Sequence, residues 1–295
     1  MSLIVRDTAN SNLRLTGVYS ANEPVSFVSC FKLLTGMADI EDTVLGSNVR
    51  CRTDFRTLET TRVQSITESK IASGLFGADV SAEDGRALID GLKHQNAGFF
   101  ERFLAELTLC LSFSRKNYST DRFLYFYRTL EYIAIAFPIY YFARRSDFVQ
   151  SHSFLKDFFS DRDAGELKAI KKLSSFFAEQ SDLLRDLTVN LEVEGHHHPV
   201  YAAEVVDQIY DRLDPEVRER ADTDDFYVAL PYKDVAPFLI KCRNLLFHNS
   251  NSGQRNFEVA RMGGAEALCG ALVPAGMTWL SQTFLEIIRD RASRL

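Results

Sequence analysis

Hydrophobic and polar positions change their rhythm near residue 90. Before it, apolar residues come in short runs rich in β-branched and aromatic side chains, as in "LRLTGVYS" (13–20) and "VSFVSCFKLL" (25–34). The stretches "ANEP" and "TGMAD" interrupt these runs, and "NVRCRTDFRTLETTRVQSIT" (48–67) alternates apolar with polar residues as one or two bent strands do. Residues 1–90 therefore read as a small mixed α/β or mostly β module, closed by the turn-forming stretch "FGADVSAEDG" (76–85).

Beyond it the apolar period lengthens to that of a helix. "AGFFERFLAELTLCLSF" (97–113) sets Phe100, Phe103, Leu104, Leu107 and Leu111 at helical spacing. "STDRFLYFYRTLEYIAIAFPIYYFARR" (119–145) opens with Ser119, Thr120 and Asp121, residues suited to an N-cap, and has a kink expected at Pro138. "DAGELKAIKKLSSFFAEQSDLLRDLTVNL" (163–191) reads as one long amphipathic helix. "EGHHHPVYAAEVVDQIYDRLD" reads as a loop and a shorter helix, and "PEVRERADTDDF" as an exposed charged excursion. Two further helical runs, "YKDVAPFLIKCRNLLFH" and "GGAEALCGALVPAGMTWLSQTFLEIIRDR", complete the set. Antiparallel helices joined by short loops make residues 91–295 a helical bundle, so the fold class is mainly α.

Composition narrows the function. The net charge of −6 gives no general affinity for nucleic acid, so any such site must be a local basic patch or belong to a partner. Five scattered cysteines without a C-x-x-C pair support neither a zinc knuckle nor a thioredoxin motif, and they suit a reducing cytosol. The most apolar segment, "YIAIAFPIYYF" (132–142), is broken by Pro138 and falls well short of the roughly 20 residues of a membrane span. With no apolar leader in "MSLIVRDTANSNLRL", the expectation is a cytoplasmic protein with no membrane partner.

Chemistry concentrates in "CRNLLFHNSNSG" (242–253). On a helix over 233–248, Leu239, Cys242 and Leu246 share one side, with Phe238 and Leu245 beside them, and that side faces the bundle. Asn244 and His248, four apart, stack on one face, and the long side chain of Arg243 reaches the same surface. The polar run from Asn249 to Gly253 ends the helix, leaving His248 at its C-terminal end, where the helix dipole favours the imidazolium. A histidine so tuned suits general acid–base work near neutral pH. Arg145 and His152 in "RSDFVQSH" have a comparable spacing but lack the apolar helical frame and carry Ser146 where the other pair has Asn244.

"RNLLFH" resembles the R-x4–6-H signature of the HEPN superfamily, in which a polar residue follows the Arg; Asn244 fills that slot. "FYRTLEYIA" (126–134) resembles the upstream helix of large prokaryotic branches. The resemblance spans roughly residues 95–290 and implies an antiparallel HEPN-like bundle with metal-independent RNA cleavage at a homodimer interface. It implies His248 as base or acid, Arg243 as the stabiliser of phosphoryl charge, and Asn244 as the group that orients the imidazole or a phosphate oxygen. Glu131, Tyr127 and Arg128, on the upstream helix, are supporting candidates, Glu131 as a buttress for Arg243. No cofactor and no metal are implied. Large versions of the family resemble effectors of bacterial antiviral, abortive-infection or toxin systems, so residues 1–90 would sense or dock, with RNA as substrate and a partner protein subunit as a further expectation. The alternative from another class is a non-catalytic helical interaction subunit of a multi-protein or RNA-binding complex, in which Arg243 pairs with Glu131 or Asp234 and His248 caps the helix.

Other motifs carry less. Three consecutive histidines in "EVEGHHHPV" (192–200) cannot all point one way, so an exposed loop is expected there rather than a metal site. "GMTWLSQTFLEII" (276–288) is an aromatic stripe suited to a core. "RMGGAEALCGA" lacks the spacing and Lys of a phosphate loop, and no G-x-S-x-G or H-E-x-x-H run occurs.

Overall fold

The computed structural model describes residues 3–7, 25–44, 47–49, 75–77, 79–112, 118–142, 147–159, 167–193, 199–247 and 256–292. These residues are mainly helical: eleven helices and two small antiparallel sheets. They group into two compact units, one of 1–114 with 280–295 and one of 115–279.

In the first unit, strand β1 (Leu3–Asp7) pairs antiparallel with β2 (Ala38–Asp42), and β2 pairs with β3 (Ser47–Val49). Helix α1 (Ser26–Leu34) packs on α3 (Ala97–Ser112), so this unit reaches past the change of rhythm near residue 90. The stretch "VSFVSCFKLL", strand-like in composition, is thus a helix, and "TGMAD" contributes to a strand. Every residue of α1 from Phe27 to Leu34 is buried, and a buried run as short as this one is readily read as a strand. Phe27 meets Phe100 edge-to-face at 4.9 Å, and Phe284 joins this aromatic core. Helix α2 (Ala82–Leu92) starts at a capping box in which Ser81 Oγ accepts from the Asp84 N–H. "LRLTGVYS" and residues 50–67 of the predicted alternating stretch lie outside the described residues.

The second unit is built on α4 (Ser119–Phe142), which runs on through Pro138. It also holds α5 (Phe148–Phe159), α6 (Leu167–Gln180) and the short α7 (Asp182–Arg185). Next come β4 (Thr188–Glu192), α8 (Pro199–Asp211), α9 (Pro215–Arg218), β5 (Asp222–Asp224) and β6 (Tyr227–Pro231). Helix α10 (Tyr232–Phe247) and the part of α11 (Ala265–Ala292) up to Trp279 complete it. The single helix expected over 163–191 is therefore broken: its last part, "TVNLE", is β4, whose burial alternates, and β4 pairs antiparallel with β6, which also pairs with β5. Thr188 and Val189 favour a strand, and the edge of β6 offers the backbone partners that a further helical turn would forgo. The charged excursion likewise folds into α9 and β5.

Side-chain contacts fix how the main helices run. Phe123 stacks on Phe247 and Tyr127 meets Arg243, so advancing four residues along α4 means retreating four along α10; the two are antiparallel. Ser119 approaches Gly270 and Phe126 approaches Gly276, so α4 and α11 run parallel. Glu266, in the first turn of α11, accepts the N–H of Ser119 at 2.6 Å and of Thr120 at 3.3 Å. A carboxylate from a neighbouring helix thus satisfies the positive end of α4. Tyr232 stacks on Trp279, whose indole N–H donates to Ser174 Oγ of α6 at 3.0 Å. No helix among the described residues is long and apolar enough to cross a membrane.

Candidate functional site

Helix α10 begins where the Tyr232 N–H bonds to the Leu187 carbonyl and ends at Phe247. Phe238, Leu239, Cys242 and Leu245 are buried as their spacing predicts, whereas Leu246 is half-buried. With that face committed to the bundle, Arg243 and Asn244 come to lie half-exposed on its flank. The guanidinium carbon of Arg243 stands 4.9 Å from the centre of the Tyr127 ring on α4, a cation–π contact. Its Nη1 also donates to Asn244 Oδ1 at 3.2 Å.

Tyr127 is buried on α4, and burial raises the pKa of its hydroxyl from the ordinary value. The charge of Arg243 pulls it down and that of Glu131 pushes it up, so both charged groups act on one phenol. Arg243, Asn244, Tyr127 and Glu131 therefore form one cluster, although Arg243 and Tyr127 belong to different helices. Arg128 behaves differently: it is exposed, and its guanidinium lies over the ring of Tyr125 on its own helix, at 5.6 Å. Asp234 pairs with Arg220 at 3.1 Å. His248, the third residue of the proposed catalytic set, lies outside the described residues.

Beside the cluster is a cleft of about 250 Å³, lined by Lys171, Asp214, Asp234, Lys241 and Asn244 among others. Lys241 pairs with Asp214 at 2.6 Å, and Asp234 is matched by Arg220, so Lys171 adds a positive charge to an otherwise balanced lining. Sequence reasoning misses Lys171 and Lys241 because only the packing of α6 on α10 joins them. One sequence signal existed: Lys241 falls one turn before Asn244 on the same helix.

A guanidinium seated over a ring, tied to a neighbouring amide and half-open to solvent, is suited to receiving an oxyanion such as a phosphate. Because Asn244 Oδ1 already accepts from Arg243, its amide N–H₂ remains a donor for the same anion. The histidines of "GHHH" lie outside the described residues, and among the described ones no His, Cys, Asp and Glu set is grouped to hold a metal ion. His152, of the weaker Arg–His pair, sits exposed on α5, and Arg145 lies outside the described residues. Cys30, Cys110, Cys242 and Cys269 are buried thiols that form no disulfide. Comparison of the chain with protein-family models, with curated proteins and with solved structures gave no match.

Proposed function

We propose that this chain is a metal-independent endoribonuclease of HEPN type. Its candidate catalytic residues are Arg243, Asn244 and His248. The observation that carries the reading is the seat of Arg243: over the Tyr127 ring, bonded to Asn244, and five residues before His248 in sequence. That constellation supports attack of the RNA 2′-oxygen on the adjacent phosphorus. The 2′-hydroxyl gives its proton to a base, the new O–P bond forms, and the bond to the 5′-oxygen breaks as that oxygen takes a proton from an acid. Products are a 2′,3′-cyclic phosphate and a 5′-hydroxyl. His248 fills the base or the acid role, and the same residue of a second copy fills the other. Arg243 opposes the negative charge that grows on the phosphoryl oxygens, with the Asn244 amide as an added donor.

Tyr127 acts as the platform that keeps the guanidinium in place, and Glu131 contributes charge beside it. DNA is refused because it lacks the attacking hydroxyl. Within this reading the chain serves as a cytoplasmic effector of a bacterial antiviral, abortive-infection or toxin system, and its N-terminal unit senses a trigger or docks a partner. A second reading, the non-catalytic interaction subunit, draws support from exposed Leu124, Ile135 and Ile139 along α4.

Controlled expression in bacteria tests the proposal, with wild type beside His248→Ala and Arg243→Ala and the RNA ends sequenced. Wild type alone should slow growth and create new 5′-hydroxyl ends. Equal effects from all three proteins would support the interaction subunit instead.

A further inference from the structure

One side of helix α10 builds the cleft beside Asn244. Asp234, Pro237, Lys241 and Asn244 follow one another at steps of three, four and three residues, which keeps them on one line of the helix. The strip runs from carboxylate through apolar ring and ammonium to amide, about 15 Å between its end Cα atoms at about 1.5 Å per residue. Its Asn244 end touches the candidate catalytic cluster, because Arg243 Nη1 donates to Asn244 Oδ1 at 3.2 Å. Asp214 and Val217 enter the cleft from the N-terminal end of α9, and Lys171 enters it from α6.

The two carboxylates have acceptor capacity left over. Asp234 takes Arg220 on Oδ2 at 3.1 Å, and Asp214 takes Lys241 on Oδ1 at 2.6 Å. Oδ1 of the first and Oδ2 of the second carry no hydrogen bond from a described residue. Lys171 meets no carboxylate within ion-pair distance among the described residues, so its ammonium has donors to give. Between these polar groups lie Pro237 and Val217, both half-buried, as a short apolar floor. An apolar floor with a few placed polar groups is how small-ligand sites are made. The volume of about 250 Å³ falls just below the roughly 300–1,000 Å³ of drug-sized pockets, which suits one base rather than a run of them.

We propose that the cleft binds one guanine nucleotide, its base on Pro237 and its phosphate at the Asn244–Arg243 end, an assignment of ligand that rests on the nuclease reading. Guanine alone among the RNA bases sets two neighbouring N–H donors, on N1 and N2, beside the acceptors O6 and N7. The carboxylates of Asp234 and Asp214 take the donors. The Lys171 ammonium gives to O6 or N7, a pairing that lysine makes with this base. Uracil flanks its single N–H with two carbonyl oxygens, which the carboxylates repel. Adenine and cytosine set one amino group beside a ring-nitrogen acceptor, so one contact is made and the next is refused. The cleft thereby selects the base next to the scissile phosphate, and RNA is cut beside guanine.

Calorimetric titration of the full chain with single nucleotides tests the site apart from cleavage, since a mononucleotide has no internucleotide bond to cut. The probes are the 3′- and 5′-monophosphates of guanosine, adenosine, cytidine and uridine, with inosine monophosphate, which lacks only the 2-amino group of guanosine. A guanosine isomer should bind at least about tenfold tighter than the same isomer of the other three, with the inosine compound in between. Asp234→Asn should weaken guanosine monophosphate by about tenfold or more, down to the level of uridine monophosphate, because a hydrogen bond to a charged group is lost. Lys171→Ala, at an exposed position that spares the fold, should weaken it by about threefold to tenfold. Equal binding of all the bases, binding of none, or variants that keep the full guanosine preference would overturn the proposal. Binding of guanosine monophosphate by a chain that cuts no RNA would refute the nuclease reading alone. Cleavage of RNA beside every base alike would refute the guanine-selecting cleft alone.

Discussion

At Gly276, α11 lies close against Phe126 of α4. A Cβ placed there would stand 2.4 Å from Cζ and 2.5 Å from Cε1 of Phe126, whereas ordinary contact begins at 3.4 Å. Phe126 is fully buried, so its ring must shift by about an ångström inside a close-packed interior. Overpacking of this kind costs about 1–3 kcal/mol. Replacing glycine by alanine within a helix returns about 1 kcal/mol through propensity. With the clash more than an ångström inside contact distance, the cost falls in the upper part of its range, and Gly276→Ala should lose about 1–2 kcal/mol net.

Gly270, on the same helix, supplies the contrast. The nearest atom to its Cβ would be Ser119 Oγ at 3.6 Å, an ordinary contact. Propensity then acts alone, and Gly270→Ala should gain about 0.5–1 kcal/mol. Urea unfolding followed by the fluorescence of Trp279 reads both, because it is the only tryptophan, is fully buried and lies three residues from Gly276. The midpoint should fall for one variant and rise for the other. The pair G276A/F126L should recover part of the loss, since the smaller side chain relieves the contact. A Gly276→Ala protein as stable as wild type would refute the parallel packing of α4 on α11 on which the seat of Tyr127 depends.

Two further outcomes follow from the same unit. Glu266→Ala removes the carboxylate that accepts the first N–H groups of α4, and should lower the urea midpoint by an amount equal to about 1–2 kcal/mol, with Glu266→Gln losing less. Burial pushes the Cys269 thiol up from 9.0 to about 12. Between those values the unfolded chain releases a proton that the folded chain keeps, so this contribution to stability is complete below the lower pH and is lost as pH climbs through the upper one. Urea midpoints taken at rising alkaline pH should fall, and less steeply in Cys269→Ala.

How much could be read from the sequence depended on whether a segment has two different faces. Helix α3 buries one side and exposes the other along most of its length, so its apolar period is visible, whereas α4 is legible through its length and its N-cap residues. Helix α1 is only nine residues long and is buried from Phe27 to Leu34, so its β-branched and aromatic residues could equally be read as part of a mixed or mostly β module. The sheet of the second unit was hidden for the opposite reason: β5 is "DTD", three exposed polar residues whose place depends on hydrogen bonds to β6, a partner sequence alone does not name. At the candidate site, the flank position of Arg243 and Asn244 followed from the helical repeat. Its contact with Tyr127 could not, because that depends on how α4 and α10 cross. Tyr127 and Arg128 were equal candidates as neighbours in sequence, yet one residue of helical rotation sends the first under Arg243 and the second to the exposed face.

The claim at the centre of this account is that Arg243 and His248 jointly drive transesterification of RNA. Its most direct measurement is the cleavage rate of an RNA by purified wild type, Arg243→Ala and His248→Ala, in chelator, beside the same RNA with one 2′-deoxy sugar at the cut site. The account predicts cyclic-phosphate products from wild type, a loss of at least about a hundredfold in each variant with folding intact, and no cut at the deoxy sugar. Cleavage of the deoxy site, or variants that cut at the wild-type rate, would contradict it.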